Sequence, residues 1–536
     1  MKRRVPLPFN FASYESGLMN EPTITNTDAP PPVPLSLDRL GDLPARIGTP
    51  DYDRATLSAG IIHIGLGNFH RAHQAWYLHK LMQQGLAQDW ALIGAGVRAY
   101  DSAMRDKLIA QDYLTTLIEL APGRVTAEVV GSMIDYTPIA EDNAPLIAAM
   151  ADPAIRIVSL TVTEGGYFID PETGGLDLTH ADIQHDRAQP DQPKTVFGAI
   201  IAALKLRRDA GHGPFTVQSC DNLRGNGTAT RQAVVTLARQ SDAALAQWIE
   251  QNCSFPNSMV DCIVPATGPD EIALAQRLGV DDAAPVTHEN YRQWVIEDDF
   301  CAGRPDWDKA GAIFTDAVHD YEAMKIRILN AGHQVLANAG ELLGLETIAD
   351  CMAHPLTSAM FRKIEAEEIA PYVAAVPGQD PAAYVELIAK RFANPAIRDT
   401  TRRVAFDGSS RHPGFVLPVL RDALAAKGSC SGLALVEALW ARMCAGTRMD
   451  GTEIEPNDPQ WARLNAVALA AREAPQLWLA QRHIYGDLAE HQAFAEAFEH
   501  WLSLIWSEGC EAALAVYTDQ PDVAAALAGD RAGMGQ

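Results

Sequence analysis

The chain has 536 residues, a length that calls for two or more domains, and its 47% hydrophobic and 21% charged content is that of a globular protein. A formal net charge of −25 argues against nucleic acid and against an anionic membrane surface as partners. The eight cysteines (220, 253, 262, 301, 351, 430, 444, 510) form no CxxC pair and are too sparse for a disulfide scaffold, which points to a reducing cytoplasm.

Residues 1–50 carry the proline run Ala29–Pro34 and little periodicity. They read as a loosely ordered extension, and Met19 is an alternative start. No apolar stretch follows the opening MKRR, so no signal peptide is expected. The longest apolar run, near Val196–Leu204, is too short to span a bilayer.

From Gly60 the texture changes. Ile61–Ile64 reads as a short buried strand, followed by Gly65-Leu66-Gly67-Asn68-Phe69-His70-Arg71 and a helical stretch to Gln84. Two glycines allow a tight turn and a close approach of a pyrophosphate to a helix N-terminus. The third glycine of the usual fingerprint is His70 here. Gly65, Gly67, Asn68, Phe69 and Arg71 are therefore candidate cofactor contacts, Arg71 through a phosphate. Ala91–Gly94 is a second strand, and Asp101 beyond it is the candidate acid for a ribose hydroxyl.

Ile155–Thr163 is the strongest strand signal, β-branched and ended by Glu164-Gly165-Gly166. Thr195–Ala210 reads as a helix, and Phe215–Ser219 as a strand ended by Cys220-Asp221-Asn222. Strands alternating with helices predict a parallel α/β sheet, and ligands of such sheets bind outside the strands' carboxyl ends. After about Gly311 the texture is helical, as in Gly432–Cys444 and Asp458–Glu473. The fold class is thus α/β, with a Rossmann-like domain of mostly parallel sheet over 51–312 and a largely α-helical domain over 313–536. Neither an HExxH motif nor a zinc-spaced Cys/His group occurs, and a metal-independent reaction is expected.

The segment YEAMKIRILNAGH over 321–333 carries the chemistry. At about 100° per residue, and taking Lys325 as zero, Glu322 falls at about 60°, His333 at about 80° and Asn330 at about 140°. All four share one broad face. A lysine that sheds its proton, beside an asparagine and a histidine able to hold an oxygen, suits removal of a proton from an alcohol.

These segments resemble the polyol-specific long-chain dehydrogenases and reductases, the group containing mannitol 2-dehydrogenase, arabinitol dehydrogenase and fructuronate reductase. The resemblance rests on IIHIGLGNFHRAHQAWYLHKL (61–81), RIVSLTVTEGGY (156–167), SCDNLRGNG (219–227), FPNSMVDCIVPAT (255–267), RQWVIEDDFCAGRP (292–305), YEAMKIRILNAGH (321–333) and RRVAFDGSSR (402–411). It implies NAD as cofactor, selected by Asp101, and Lys325 as the general base. It implies that Asn222 and Asn330 hold the alcohol oxygen, that His333 orients a substrate hydroxyl, and that Glu164 and Glu322 assist proton transfer. Asp261, Arg403 and Arg411 fall where the group contacts the rest of the polyol. The chain departs from the group at Ala331-Gly332, often Gly-Ser, at Cys262, often Arg, at Arg411, often Lys, and at Tyr100, often Glu. The expected activity is NAD-dependent oxidation of a secondary hydroxyl of a sugar alcohol, mannitol to fructose or arabinitol to a ketopentose. The alternatives are reduction of a keto-uronate such as fructuronate or tagaturonate, and a non-catalytic nucleotide-binding module. The expected partners are a small polyol, no nucleic acid and no membrane, with the chain a monomer or small homo-oligomer in the cytoplasm.

Overall fold

A computed structural model describes residues 31–170 and 173–523. The chain forms two compact units that divide at His319/Asp320. The division lies beyond the boundary read at 312, because Ile313 and Phe314 still pair with Val295 and Ile296.

The first unit is built on five parallel strands: β1 (Ala59–Ile64), β2 (Ala91–Ala95), β3 (Met133–Tyr136), β4 (Ile157–Leu160) and β5 (Thr216–Ser219). Their spatial order is β3-β2-β1-β4-β5, the doubly wound arrangement, and it reverses direction between β1 and β4. The strands are buried on both faces because both are covered. Ile62, Ile64, Val158, Leu160 and Val217 pack against Phe197, Ile200 and Leu204 and against Val234 and Leu237. Ile61, Leu92 and Ile157 face the opposite way, toward Leu78 and Leu81. The helices are α1 (Asn68–Ala72), α2 (Gln74–Met82), α3 (Val196–Asp209) and α4 (Asn226–Ser241). Helix α3 starts where the Thr195 side chain accepts from the Gly198 N–H at 3.0 Å.

A hairpin, Thr115–Ala121 and Arg124–Val130, belongs to a second sheet and turns at Pro122-Gly123. Proline presets the first turn position and Gly123, at φ +68°, fills the second. The alternating apolar run with its Pro-Gly signal stood in the sequence unread. The extension expected over 1–50 is corrected in its last third. Val33–Pro34 pairs in parallel with Val280–Asp281, and Leu35, Leu43 and Ile47 are buried against Ile118 and Val129. Residues 1–30, including Met19, lie outside the described residues.

The second unit is helical. Helix α5 (Val318–Met324) runs into a π-helical stretch, Lys325–Asn330, and on into α6 (Ala331–Leu343). Two further π-helical stretches, Glu365–Ile369 and His412–Val416, pack against the first. Helices α7 (Ser431–Cys444) and α8 (Gln492–Glu508) close the core through Leu433, Leu439, Phe498 and Leu502. Among the described residues no helix is long and apolar enough to cross a membrane.

Candidate active site

The carboxyl edge of the parallel sheet gathers the sequence-predicted residues of the first unit. Gly65 follows β1 at φ +93°, and a Cβ there would meet the Thr161 carbonyl oxygen at 2.2 Å. Only glycine tolerates both conditions. A Cβ on Gly67 would meet nothing within 4 Å, so its face is open to an approaching group. A turn with one glycine demanded by its own backbone and one facing open space, at the first strand of a doubly wound sheet, suits a pyrophosphate.

The loop is braced from below. Thr161 donates its hydroxyl to the Gly65 carbonyl at 2.6 Å and lies 2.8 Å from His63 Nε2. A hydroxyl that donates to a carbonyl must accept from the ring, so Nε2 carries the proton. The other nitrogen, Nδ1, lies 2.8 Å from Ser159 Oγ. Burial lowers the His63 pKa to about 3, which keeps the ring neutral and this tautomer in place. His70, in the place of the third glycine, is buried and stacks on His63 with ring centroids 3.3 Å apart.

Asn68 donates to the Pro265 carbonyl and to Thr267 Oγ1, both at 2.9 Å. Arg71 overturns its expected role. Only 2% exposed, its guanidinium donates to the Asn68 side chain at 2.7 Å and to the Ala284 carbonyl. It is turned inward and ties the loop to a distant segment instead of facing a phosphate. The sequence shows the charge but not its direction. Phe69 stacks on His73 at 4.8 Å. Asp101 follows β2, and its carboxylate accepts from the Arg98 N–H at 3.0 Å.

The ends of β4 and β5 carry Glu164 and Asn222, both exposed. Between them lies the buried carboxylate of Asp221, whose part the strand-end position alone did not reveal. Asp221 accepts from the N–H of Thr163 at 2.8 Å, the N–H of Val162 at 3.1 Å and the Tyr167 hydroxyl at 2.7 Å. Thr163 sits at φ +63°, a costly conformation of about 1–3 kcal/mol for a β-branched residue. On the other side, Asn226 donates to the Asp221 carbonyl at 3.0 Å and the Ser258 carbonyl at 2.7 Å, and accepts from the Ser258 N–H at 2.9 Å. Ser258 opens strand β6 (Ser258–Asp261), whose last residue is the buried Asp261. Glu164, Asn222 and Asp261 therefore stand on one frame pinned by Asp221 and Asn226.

In the second unit Lys325 opens the π-helical stretch and Asn330 ends it. Lys325 and Glu322 are buried. The expected α-helical spacing is corrected here. A turn closed by i→i+5 bonds brings Asn330 round beneath Lys325, where an α-helix of 100° per residue would separate them. Such turns concentrate at functional sites. His333 follows on α6, stacked on Phe392 at 4.3 Å, with Nε2 3.6 Å from Asp399 Oδ2. Burial is the main cause that lowers its pKa to about 4, aided by Arg403, Arg391 and Arg411 and opposed by Asp399. The ring is neutral and can accept or donate. Arg403 Nε donates to Asp399 Oδ1 at 2.7 Å, and Arg411 donates to the Val404 carbonyl at 2.6 Å. With Arg402, Phe406, Pro456 and Asn457, these two arginines line a hollow of about 330 Å³.

Among the described residues no three His, Cys, Asp or Glu side chains gather closely enough to hold a metal.

Two family models match, the mannitol dehydrogenase Rossmann domain over residues 59–309 and the mannitol dehydrogenase C-terminal domain over 317–506. Among similar sequences, mannitol 2-dehydrogenase of Cereibacter sphaeroides is 54% identical over 465 residues, covering 87% of this chain and 97% of the relative. The mannitol 2-dehydrogenase of Pyricularia oryzae is 40% identical, covering 84% and 92%. Among solved structures, the ternary complex of Pseudomonas fluorescens mannitol 2-dehydrogenase with NAD and D-mannitol aligns with a TM-score of 0.81 at 40% identity, over 91% of this chain and 100% of that one. A substrate-free D-sorbitol dehydrogenase aligns at 0.83 and 35% identity, over 90% and 100%.

Proposed function

The chain belongs to the mannitol dehydrogenase family, and on that premise we propose that it oxidises mannitol to fructose with NAD, using Lys325 as the general base. The reaction class, NAD-dependent oxidation of a sugar alcohol, is carried by the 54% identity to a mannitol 2-dehydrogenase over 87% of this chain.

NAD, when bound, would supply the acceptor for the hydride of the carbinol carbon. Everything else is the work of side chains. Gly65 and Gly67 let the backbone approach the pyrophosphate, with the amides of Asn68 and Phe69 beyond them. Asp101 takes the ribose hydroxyls and repels a 2′-phosphate. Lys325 Nζ takes the hydroxyl proton. This lysine is buried. Asn222 and Asn330 each offer an amide N–H to the oxygen as it gains negative charge, the task a metal performs in other alcohol dehydrogenases. Glu164 and Glu322 carry the proton onward from the lysine. His333 orients a neighbouring hydroxyl, held in place by Phe392 and Asp399. Asp261, Arg403 and Arg411 read the remaining hydroxyls.

One observation favours a second reading. Arg402, Arg403 and Arg411 line a single hollow, and guanidinium forks suit a carboxylate. A keto-uronate such as fructuronate is the substrate class that would use them. A monomer or small homo-oligomer in a reducing cytoplasm accords with the charge and the scattered cysteines. Initial rates with NAD and NADP against mannitol, arabinitol and sorbitol, and for reduction of fructose and fructuronate, test both readings. Mannitol oxidation with NAD as the best pair is expected. Fructuronate reduction exceeding fructose reduction would replace the first reading with the second.

A further inference from the structure

We infer that Asp221 is a positioning residue for this reaction, its buried carboxylate holding the turn that carries Glu164 in register with the turn that carries Asn222. The inference rests on the functional reading above and adds a group that never touches substrate.

The geometry is specific. Asp221 is 6% exposed and sits directly before Asn222. Its Oδ1 accepts from the Thr163 N–H, and its Oδ2 accepts from the Val162 N–H and the Tyr167 hydroxyl. Thr163 is the residue before Glu164 and is held at φ +63°, so its amide direction depends on that acceptor. The strands β4 and β5 are neighbours, and their ladder ends at Leu160↔Ser219. Past that point no ladder fixes the two turns against each other, and the carboxylate takes over. The Tyr167 hydroxyl is supported in turn by Ser219 Oγ at 2.5 Å. Asn226 anchors the backbone just beyond, through the Asp221 carbonyl.

The ionised form does this best. A proton on Oδ2 turns the acceptor of the Tyr167 hydroxyl into a donor, so that the hydroxyl must turn toward Ser219, and weakens acceptance from the Val162 and Thr163 N–H groups. The groups facing Asp221 are the Tyr167 hydroxyl and the Glu164 carboxylate on the turn, and the Cys220 thiol on its own strand end. Burial raises the Asp221 pKa to about 6, with Glu164 adding to the rise and the Tyr167 and backbone hydrogen bonds opposing it. The clamp therefore loosens as pH falls through about 6.

Ketose reduction isolates the effect, because in that direction Lys325 works protonated and acid does not disarm it. The test measures NADH-dependent reduction of D-fructose from pH 5 to pH 8 for the wild type, Asp221→Asn and Tyr167→Phe. The wild type should lose kcat/KM as pH falls through about 6. Asp221→Asn offers one acceptor and cannot titrate. Its kcat should fall roughly 10- to 100-fold, with the KM for NADH within about 2-fold and no acid limb near pH 6. Tyr167→Phe removes a donor that lowers the Asp221 pKa, so it should keep most of the rate and move the limb to higher pH. A persisting limb in Asp221→Asn, wild-type kcat in that variant, or an unmoved limb in Tyr167→Phe would each overturn the inference. A wild type inert toward both fructose and mannitol would overturn the functional reading itself, and this inference with it.

Discussion

At the scale of single residues the reaction hangs on one proton. Lys325→Ala should lower turnover by roughly 10²–10⁴-fold, the usual contribution of a general base, while NAD binding followed by fluorescence titration stays near the wild-type value. Near wild-type turnover would move the role of base to another group. Asp101→Ser should raise the specificity constant for NADP relative to NAD, since the repulsion of a 2′-phosphate goes with the carboxylate. A wild type that prefers NADP would end that assignment. Lys325, Asn330 and His333 stand out as candidates because their spacing on one helical segment carries chemistry without any knowledge of packing, and Asn222 because it stands at a strand end. Arg71 was misread because a guanidinium at a glycine loop looks the same in sequence whether it faces out or in. Here it faces the Ala284 carbonyl, more than 200 residues along the chain. The part played by Asp221 stayed hidden for a similar reason. Nothing local distinguishes a clamp across two strands from a helix cap.

At the scale of elements four of the five parallel strands were readable, at Ile61–Ile64, Ala91–Gly94, Ile155–Thr163 and Phe215–Ser219, while Met133–Tyr136, short and half-exposed, was missed. Their order was not readable, because pairing across the sheet is a tertiary choice. The π-helical stretch Lys325–Asn330 was invisible, since a helical wheel assumes the very spacing that this segment breaks. Its test is a deletion. Removing Ile326 lets the segment close as an ordinary α-helix and swings Lys325 by about 100° and about 1.5 Å relative to Asn330 and His333. Turnover should fall by at least about 10²-fold, as expected for misplacement of this size, with the far-ultraviolet circular dichroism spectrum unchanged. Retained turnover would show that the wider turn is incidental.

At the scale of the whole molecule, acid should be the weak side. Burial lowers the pKa of His63 and His288 to about 3, and of His79 and His333 to about 4. In an unfolded chain these rings titrate at about 6.5. Below that pH the unfolded state binds protons that the folded state refuses, so stability is complete above about 6.5 and is lost as pH falls toward 4. Each ring contributes about 1.4 kcal/mol per pH unit within that window. Thermal melts should give a level Tm above pH 7 and a steepening decline below 6.5. A Tm unchanged down to pH 5 would contradict the neutral burial of these rings.

The strap near the N-terminus adds a dimension of time. Val33 and Pro34 pair with Val280 and Asp281, a segment the ribosome delivers nearly 250 residues later. At 5–20 residues per second that wait lasts roughly 12–50 s. Throughout it Leu35 and Ile47 can meet Ile118 and Val129 of the early hairpin but not Ala275 and Val280, which complete the same cluster. A segment made early is thus among the last to dock, and the newborn chain passes through a long interval in which its sheet can form but its edge cannot be sealed.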